Sequence, residues 1–263
     1  VTSLLRFIGM TNPFPILRWY LFKSGLLTST GCDHGAFVRT SASTGQPDLQ
    51  IRFIAAKPLG ADGMTTYTQF RNSKAPEDGY TFQLIAVRPK SRGEIRINSS
   101  NTHVKPSIDM GYLNNSADVR TLTEGVKLAR QLGKNVGWEE YLGEEVYPGI
   151  DVQSDAEIHE YAKNTVHSAN AGVGTCRMGT GNDAVVTPSL EVIGVKNVRV
   201  GDSSVICTIP GGQTATPTVM IAERCAAFVR SMKNKIPTAF HVEKKKITSS
   251  SSSKKATAAA GTA

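Results

Sequence analysis

Two stretches carry side chains suited to chemistry rather than to packing. Residues 167–179 read HSANAGVGTCRMG, and about thirty residues later 209–224 read IPGGQTATPTVMIAER. His167 is followed three positions on by Asn170 and then by a glycine turn, so an imidazole and a carboxamide can face one ligand. The plainer alternative is that both merely cap a helix. In the second stretch Gly211 and Gly212 let the backbone come close to a partner, and Gln213 offers both a donor and an acceptor. Thr214, Ala215, Thr216 and Pro217 then open a helix whose free amides carry partial positive charge, a seat for an electron-rich carbonyl or an anion. Together these residues describe a cofactor edge with a substrate cavity over it.

Several elements must position them. GAFVRT, DLQIRFIAA, YTFQLIAV and GEIRIN combine β-branched and aromatic residues with turn signals, and predict neighbouring strands of one mostly antiparallel sheet. DVRTLTEGVKLARQL predicts a helix over 118–132, with Val119, Leu122, Val126, Leu128, Ala129 and Leu132 at helical spacing, Asp118 as N-cap and Gly133 closing it. Ser154 and Glu157 have capping-box spacing, so a second helix runs to about Val166 and leaves His167 at its edge. Two short strands are expected in VVTPSLEVIGVKNVRVGDSSV and a last helix over 215–232. RWYLFK, near Pro13 and Pro15, predicts an N-terminal helix, with burial favoured over a membrane-surface position.

Composition bounds the rest. With 263 residues and 40% hydrophobic content the chain can bury one substantial core or two modest ones. The formal net charge of +8 is scattered apart from Lys244–Lys246 and Lys254–Lys255, without aromatic interleaving, so a nucleic-acid partner is not expected. Cys32, Cys176, Cys207 and Cys225 show no CxxC or Cys/His spacing, which points to a reducing compartment without a zinc site or disulfide framework. No apolar run reaches the ~18 residues of a membrane span. The opening VTSLLRFIGM lacks the plan of a signal peptide and has no initiator Met, so the expectation is a processed chain or part of a longer protein. Cys176 reads as a small buried side chain in a turn, Trp138 and Tyr141 as core, His34 as a turn histidine, and Asp151 and Asp155 as solvated loop residues.

HSANAGVGTCRMG, VVTPSLEVIGVKNVRVGDSSV and IPGGQTATPTVMIAER together resemble the C-terminal signature of the glucose-methanol-choline (GMC) family of FAD-dependent oxidoreductases. GLLTST, FVRT, PDLQIRF, RPKSRGEIRI and PSIDMGYL are similar to the same family's substrate domain, in family order, so the resemblance covers about residues 10–232. The combination of HSANA, IPGGQT and VMIAER resembles the algal fatty acid photodecarboxylases within that family. The resemblance implies an α+β fold: a GMC-type substrate domain with a mostly antiparallel sheet backed by helices, plus C-terminal strands and a helix that complete the FAD domain. The implied organisation is an N-terminal helical segment over 1–24, a substrate-binding domain over 25–166 and a flavin-facing segment over 167–236; the basic, Ser- and Ala-rich composition of 237–263 has too little apolar surface to fold and predicts a disordered tail, or an extension that docks on a partner.

Carried over by position, the resemblance makes His167 and Asn170 the active-site pair near the substrate carboxylate, with Gln213 where many family oxidases have His or Asn. Asp202 matches the acidic residue whose segment lies along the flavin, and Gly212 and Thr214 to Pro217 match the loop and helix start at the flavin pyrimidine. The implied cofactor is FAD, the implied substrate a fatty acid or other small molecule, and the implied compartment a plastid. Three departures accompany this. Val87 stands where the photodecarboxylases have Cys, KPSIDMGYL carries no Arg, and no GxGxxG unit follows a strand into a helix. Two readings follow: an enzyme half that works with an FAD-binding N-terminal half, or a catalytically silent structural subunit of a thylakoid membrane protein complex.

Overall fold

The computed structural model describes residues 14–29, 32, 34–58, 60–62, 79–135, 137 and 143–233. Strands β1 (His34–Val38), β2 (Leu49–Ile54) and β3 (Thr81–Ala86) make an antiparallel sheet in that order. Its register sets Val38 opposite Leu49, Ile51 between Ala36 and Leu84, and Phe53 opposite Phe82. Because side chains alternate along a strand, Leu49, Ile51 and Phe53 share one face and Gln50 and Arg52 the other. The first face is the core: Leu49 and Ile51 are buried, and Phe53, Tyr80 and Phe82 form an aromatic cluster with centroids 5.5–5.9 Å apart.

Helix α2 (Ser116–Asn135) covers that face. It approaches at a glycine, since a Cβ on Gly125 would stand 3.1 Å from Leu49 Cδ2 and 3.3 Å from Leu84 Cδ1. The expected ends of this helix are corrected. Asn115 caps it, its Oδ1 accepting from the Ala117 amide at 2.9 Å. Asp118 lies within the first turn, where its buried carboxylate accepts from the amides of Lys90 and Ser91, both at 2.8 Å. Those two amides follow β3 and have no ladder partner, so a carboxylate satisfies them. Gly133 sits inside the last turn rather than closing the helix, and Leu132, expected on the apolar face, is 37% exposed. Small residues, Thr121, Thr123 and Gly125, occupy the buried positions instead.

A carboxylate also fastens the sheet to α2. Asp48 accepts from the Thr40 amide at 2.8 Å, Thr40 Oγ1 at 2.6 Å and Thr121 Oγ1 at 2.9 Å. Burial pushes its pKa up, but these hydrogen bonds outweigh burial and hold it below the usual carboxylate value.

GEIRIN is not a fourth strand of this sheet. β4 (Glu94–Arg96) pairs instead with β5 (Ser107–Asp109) in a separate two-stranded ribbon. The backbones meet closely at its base, where a Cβ on Gly93 would lie 2.1 Å from the Asp109 carbonyl. Helix α3 (Asp155–Thr165) starts as expected: Ser154 Oγ accepts from the Glu157 amide while the Glu157 carboxylate takes the Ser154 amide at 2.8 Å. Asp155 is corrected from loop to helix, and its carboxylate meets Lys127 Nζ at 2.5 Å. Arg130 of α2 holds the approach to α3, reaching Glu145 at 2.7 Å and the Val152 carbonyl at 2.8 Å.

Past α3 the two expected strands are replaced by single bridges, Met178 with Val186, Val186 with Val192 and Glu191 with Arg199. Positive φ at Leu190, Gly194 and Asn197 turns the chain too often for a ladder to extend. Helix α4 (Ala215–Lys233) closes the described chain. Helix α1 (Phe14–Phe22), expected to be buried, has no buried residue, and its aromatic and aliphatic side chains Phe14, Ile16, Leu17, Tyr20, Leu21 and Phe22 are exposed. His34 opens β1 rather than a turn, Cys176 is half-buried, and all four cysteines are free thiols. Trp138, Tyr141 and the tail over 237–263 lie outside the described residues. The chain divides into two units, residues 1–225 and 226–263; of the second, 226–233 is described, as helix in which Ser231 Oγ donates to the Phe228 carbonyl at 2.8 Å. Antiparallel sheets with packed helices make this an α+β fold.

Candidate functional site

Val166 ends α3, its amide donating to the Ala162 carbonyl at 2.8 Å, and His167 follows directly. His167 Nδ1 lies 2.9 Å from the Ser168 carbonyl oxygen. A carbonyl can only accept, so Nδ1 is the donor in this contact, and Nε2 has no partner among the described residues. Asn170 adopts φ +57, a left-handed conformation that Asn tolerates, with its amide on Ser168 Oγ at 2.9 Å. Its carboxamide is exposed and has no partner among the described residues.

The glycine-rich segment that follows is laced to the turn before α4. The Cys176 amide donates to the Ser204 carbonyl, and the Met178 amide to that of Val205, both at 3.0 Å. Asp202 starts this turn, accepting from Ser204 Oγ at 2.5 Å and the Ser204 amide at 2.8 Å. Those two hydrogen bonds hold its carboxyl below the usual value. Beside it, a Cβ on Gly201 would come within 2.9 Å of Cys225, so α4 packs against bare backbone there.

The second stretch meets the sheet. Gln213 Nε2 donates to Gln50 Oε1 at 3.3 Å, on the face of β2 opposite α2. Gly211 has φ +84, which favours glycine, and a Cβ there would stand 2.4 Å from Arg88 Nη2, so the end of that side chain would have to shift. Arg88 Nε in turn donates to the Pro47 carbonyl at 3.0 Å. Gly212 is open, with nothing within 4 Å of a built Cβ. Thr214 is buried and its carbonyl takes the Thr218 amide at 3.0 Å, the first bond of α4. Ala215 and Thr216 are exposed, no acid occupies this turn, and the first-turn amides have no intrahelical acceptor. Pro217 has no amide hydrogen to offer.

The structure therefore brings 174–178 to 204–207, and 211–213 to Gln50 and Arg88. Among the described residues no hydrogen bond joins His167 or Asn170 to Gln213; the chain segments between them, not direct contact, relate the two stretches. Sequence reasoning did not single out Gln50 or Arg88. Alternation along β2 puts Gln50 on the polar face, but no local pattern announces a partner 163 residues away.

The GMC oxidoreductase family model matches residues 89–222. The chloroplastic fatty acid photodecarboxylase of Chlamydomonas reinhardtii is 44% identical over 227 residues, which cover 83% of this chain and 37% of that protein. An alcohol dehydrogenase (acceptor) of Pseudomonas putida is 35% identical over 212 residues, covering 80% of this chain and 37% of that enzyme. Among solved structures, pyridoxine 4-oxidase from Mesorbium loti superposes with a TM-score of 0.63 at 25% identity, over 78% of this chain and 38% of its own. A formate oxidase structure has a TM-score of 0.72 at 22% identity, over 89% and 44% respectively, and supports the fold alone. The chain thus spans 37% of the length of these two sequence relatives. The family match extends over more than half of the 263 residues and falls on the two stretches that carry the chemistry: the chain belongs to the GMC oxidoreductases.

Proposed function

We propose that this chain is the substrate-side, C-terminal part of an FAD-dependent enzyme similar to fatty acid photodecarboxylase, working with an FAD-binding portion on a fatty acid carboxylate. The observation that carries the reading is the 44% identity to the algal photodecarboxylase over 227 residues, a stretch long enough to include the sheet, α3 and α4. The start of α4 fits the cofactor: exposed first-turn amides, no acidic side chain and an open Gly212 suit an electron-rich carbonyl edge. Gly212, Thr214, Ala215, Thr216 and Pro217 would hold the flavin pyrimidine, and Asp202 would fix the turn beside α4. When bound and excited by blue light, FAD supplies one-electron oxidation of the carboxylate. Asn170 and Gln213 orient that carboxylate through their N–H groups, while His167 Nε2 and the carboxamide C=O groups hold the water next to it. A plastid location rests on the chloroplastic relative.

One observation favours a second reading within the same family. With Nδ1 tied to a carbonyl, His167 turns Nε2 outward as the atom that would serve an alcohol-oxidising enzyme as general base, and Val87 supplies no thiol after β3. The test is product analysis with the full-length flavoprotein. Hydrocarbon and carbon dioxide released from a long-chain fatty acid under blue light, and not in the dark, support the first reading. Light-independent oxidation of an alcohol, without hydrocarbon, supports the second.

A further inference from the structure

Against Gly211 lies a cation whose hydrogen-bonding capacity is largely unused. Arg88 leaves β3 one residue after buried Val87, and its Nε is tied to the Pro47 carbonyl at 3.0 Å. That bond and the seat on Gly211 fix the plane of the guanidinium. Neither Nη1 nor Nη2 has an acceptor among the described residues, and no carboxylate there pairs with the side chain. Arg92 and Arg130 spend their η nitrogens on backbone carbonyls or on Glu145. Arg88 is thus a pre-oriented fork seated on Gly211, two residues before Gln213, and a planar fork with free N–H groups is the partner that matches a carboxylate in two parallel hydrogen bonds.

We propose that the Arg88 guanidinium receives the carboxylate of the substrate and so selects acids over neutral lipids at this site. The inference rests on the fatty-acid reading above and answers a question that reading leaves open, because KPSIDMGYL offers no arginine. Arg88 is reached from another part of the chain, through the loop that follows β3. Gly211 leaves room for it: a side chain there would displace the end of the fork.

The experiment uses the full-length flavoprotein and its Arg88→Ala, Arg88→Gln and Arg88→Lys variants, with palmitate and the uncharged 1-hexadecanol as probes. Flavin content and Kd are read for each. The expected result is a rise of at least about tenfold in the palmitate Kd for Arg88→Ala and Arg88→Gln, the size of a lost charge-assisted contact. Hexadecanol binding and flavin content stay within about twofold, and Arg88→Lys recovers part of the loss. Equal weakening for both probes, or no change for palmitate, overturns the proposal. Loss of flavin from the variants with palmitate binding retained also overturns it and makes Arg88 a cofactor anchor. Failure of the underlying reading looks different: the wild-type protein itself then binds hexadecanol and not palmitate.

Discussion

Asn170 and Gly211 show how single residues shape the site, because both hold left-handed backbone next to groups that face outward. Gly211→Ala adds a Cβ that would sit 2.4 Å from Arg88 Nη2 and forces an L-residue to φ +84. The strain is on the order of 1–2 kcal/mol. The account expects a modest fall in melting temperature together with a loss of carboxylate binding like that of Arg88→Ala; unchanged palmitate affinity would separate the glycine from the guanidinium. His167→Ala and Asn170→Ala are expected to abolish turnover while flavin content and melting temperature stay near wild type. Full activity in both variants would remove these side chains from the chemistry.

Elements were legible in the sequence to the extent that their signals were local. The capping box of α3 depends on residues three apart, and Ser154 and Glu157 stand as the spacing requires. Ser154→Ala should accordingly cost about 1 kcal/mol, measurable by chemical denaturation. By contrast, Asp118 had the look of a cap, and its true partners, the amides of Lys90 and Ser91, lie 28 and 27 residues away. The burial of small residues on α2 was illegible for the same reason: Gly125 is chosen by Leu49 and Leu84 on the sheet. Gly125→Val should destabilise by roughly 1–3 kcal/mol through overpacking, despite the gain of a side chain in the helix. Asp48 sets a pH dependence at this scale. Its folded pKa lies below the unfolded value of about 3.9, so its stabilisation is complete above that value and is lost as pH falls through the folded pKa. An Asp48→Asn variant should lose part of the acid-induced drop in stability; an unchanged acid titration of stability would contradict this.

At the scale of the molecule, the family was legible because its signatures are contiguous, while the meeting of Gln213 with Gln50 and of Gly211 with Arg88 required the fold. The apolar residues of α1 are exposed, and the chain spans 37% of the length of two sequence relatives. The central claim is that this substrate-side chain serves a flavin. The direct test is an absorption and fluorescence spectrum of the protein purified natively with whatever it associates with, recorded before and after denaturation. The account predicts released FAD in a one-to-one ratio with the chain. A protein still held in its native assembly, with no flavin before or after denaturation, would contradict it.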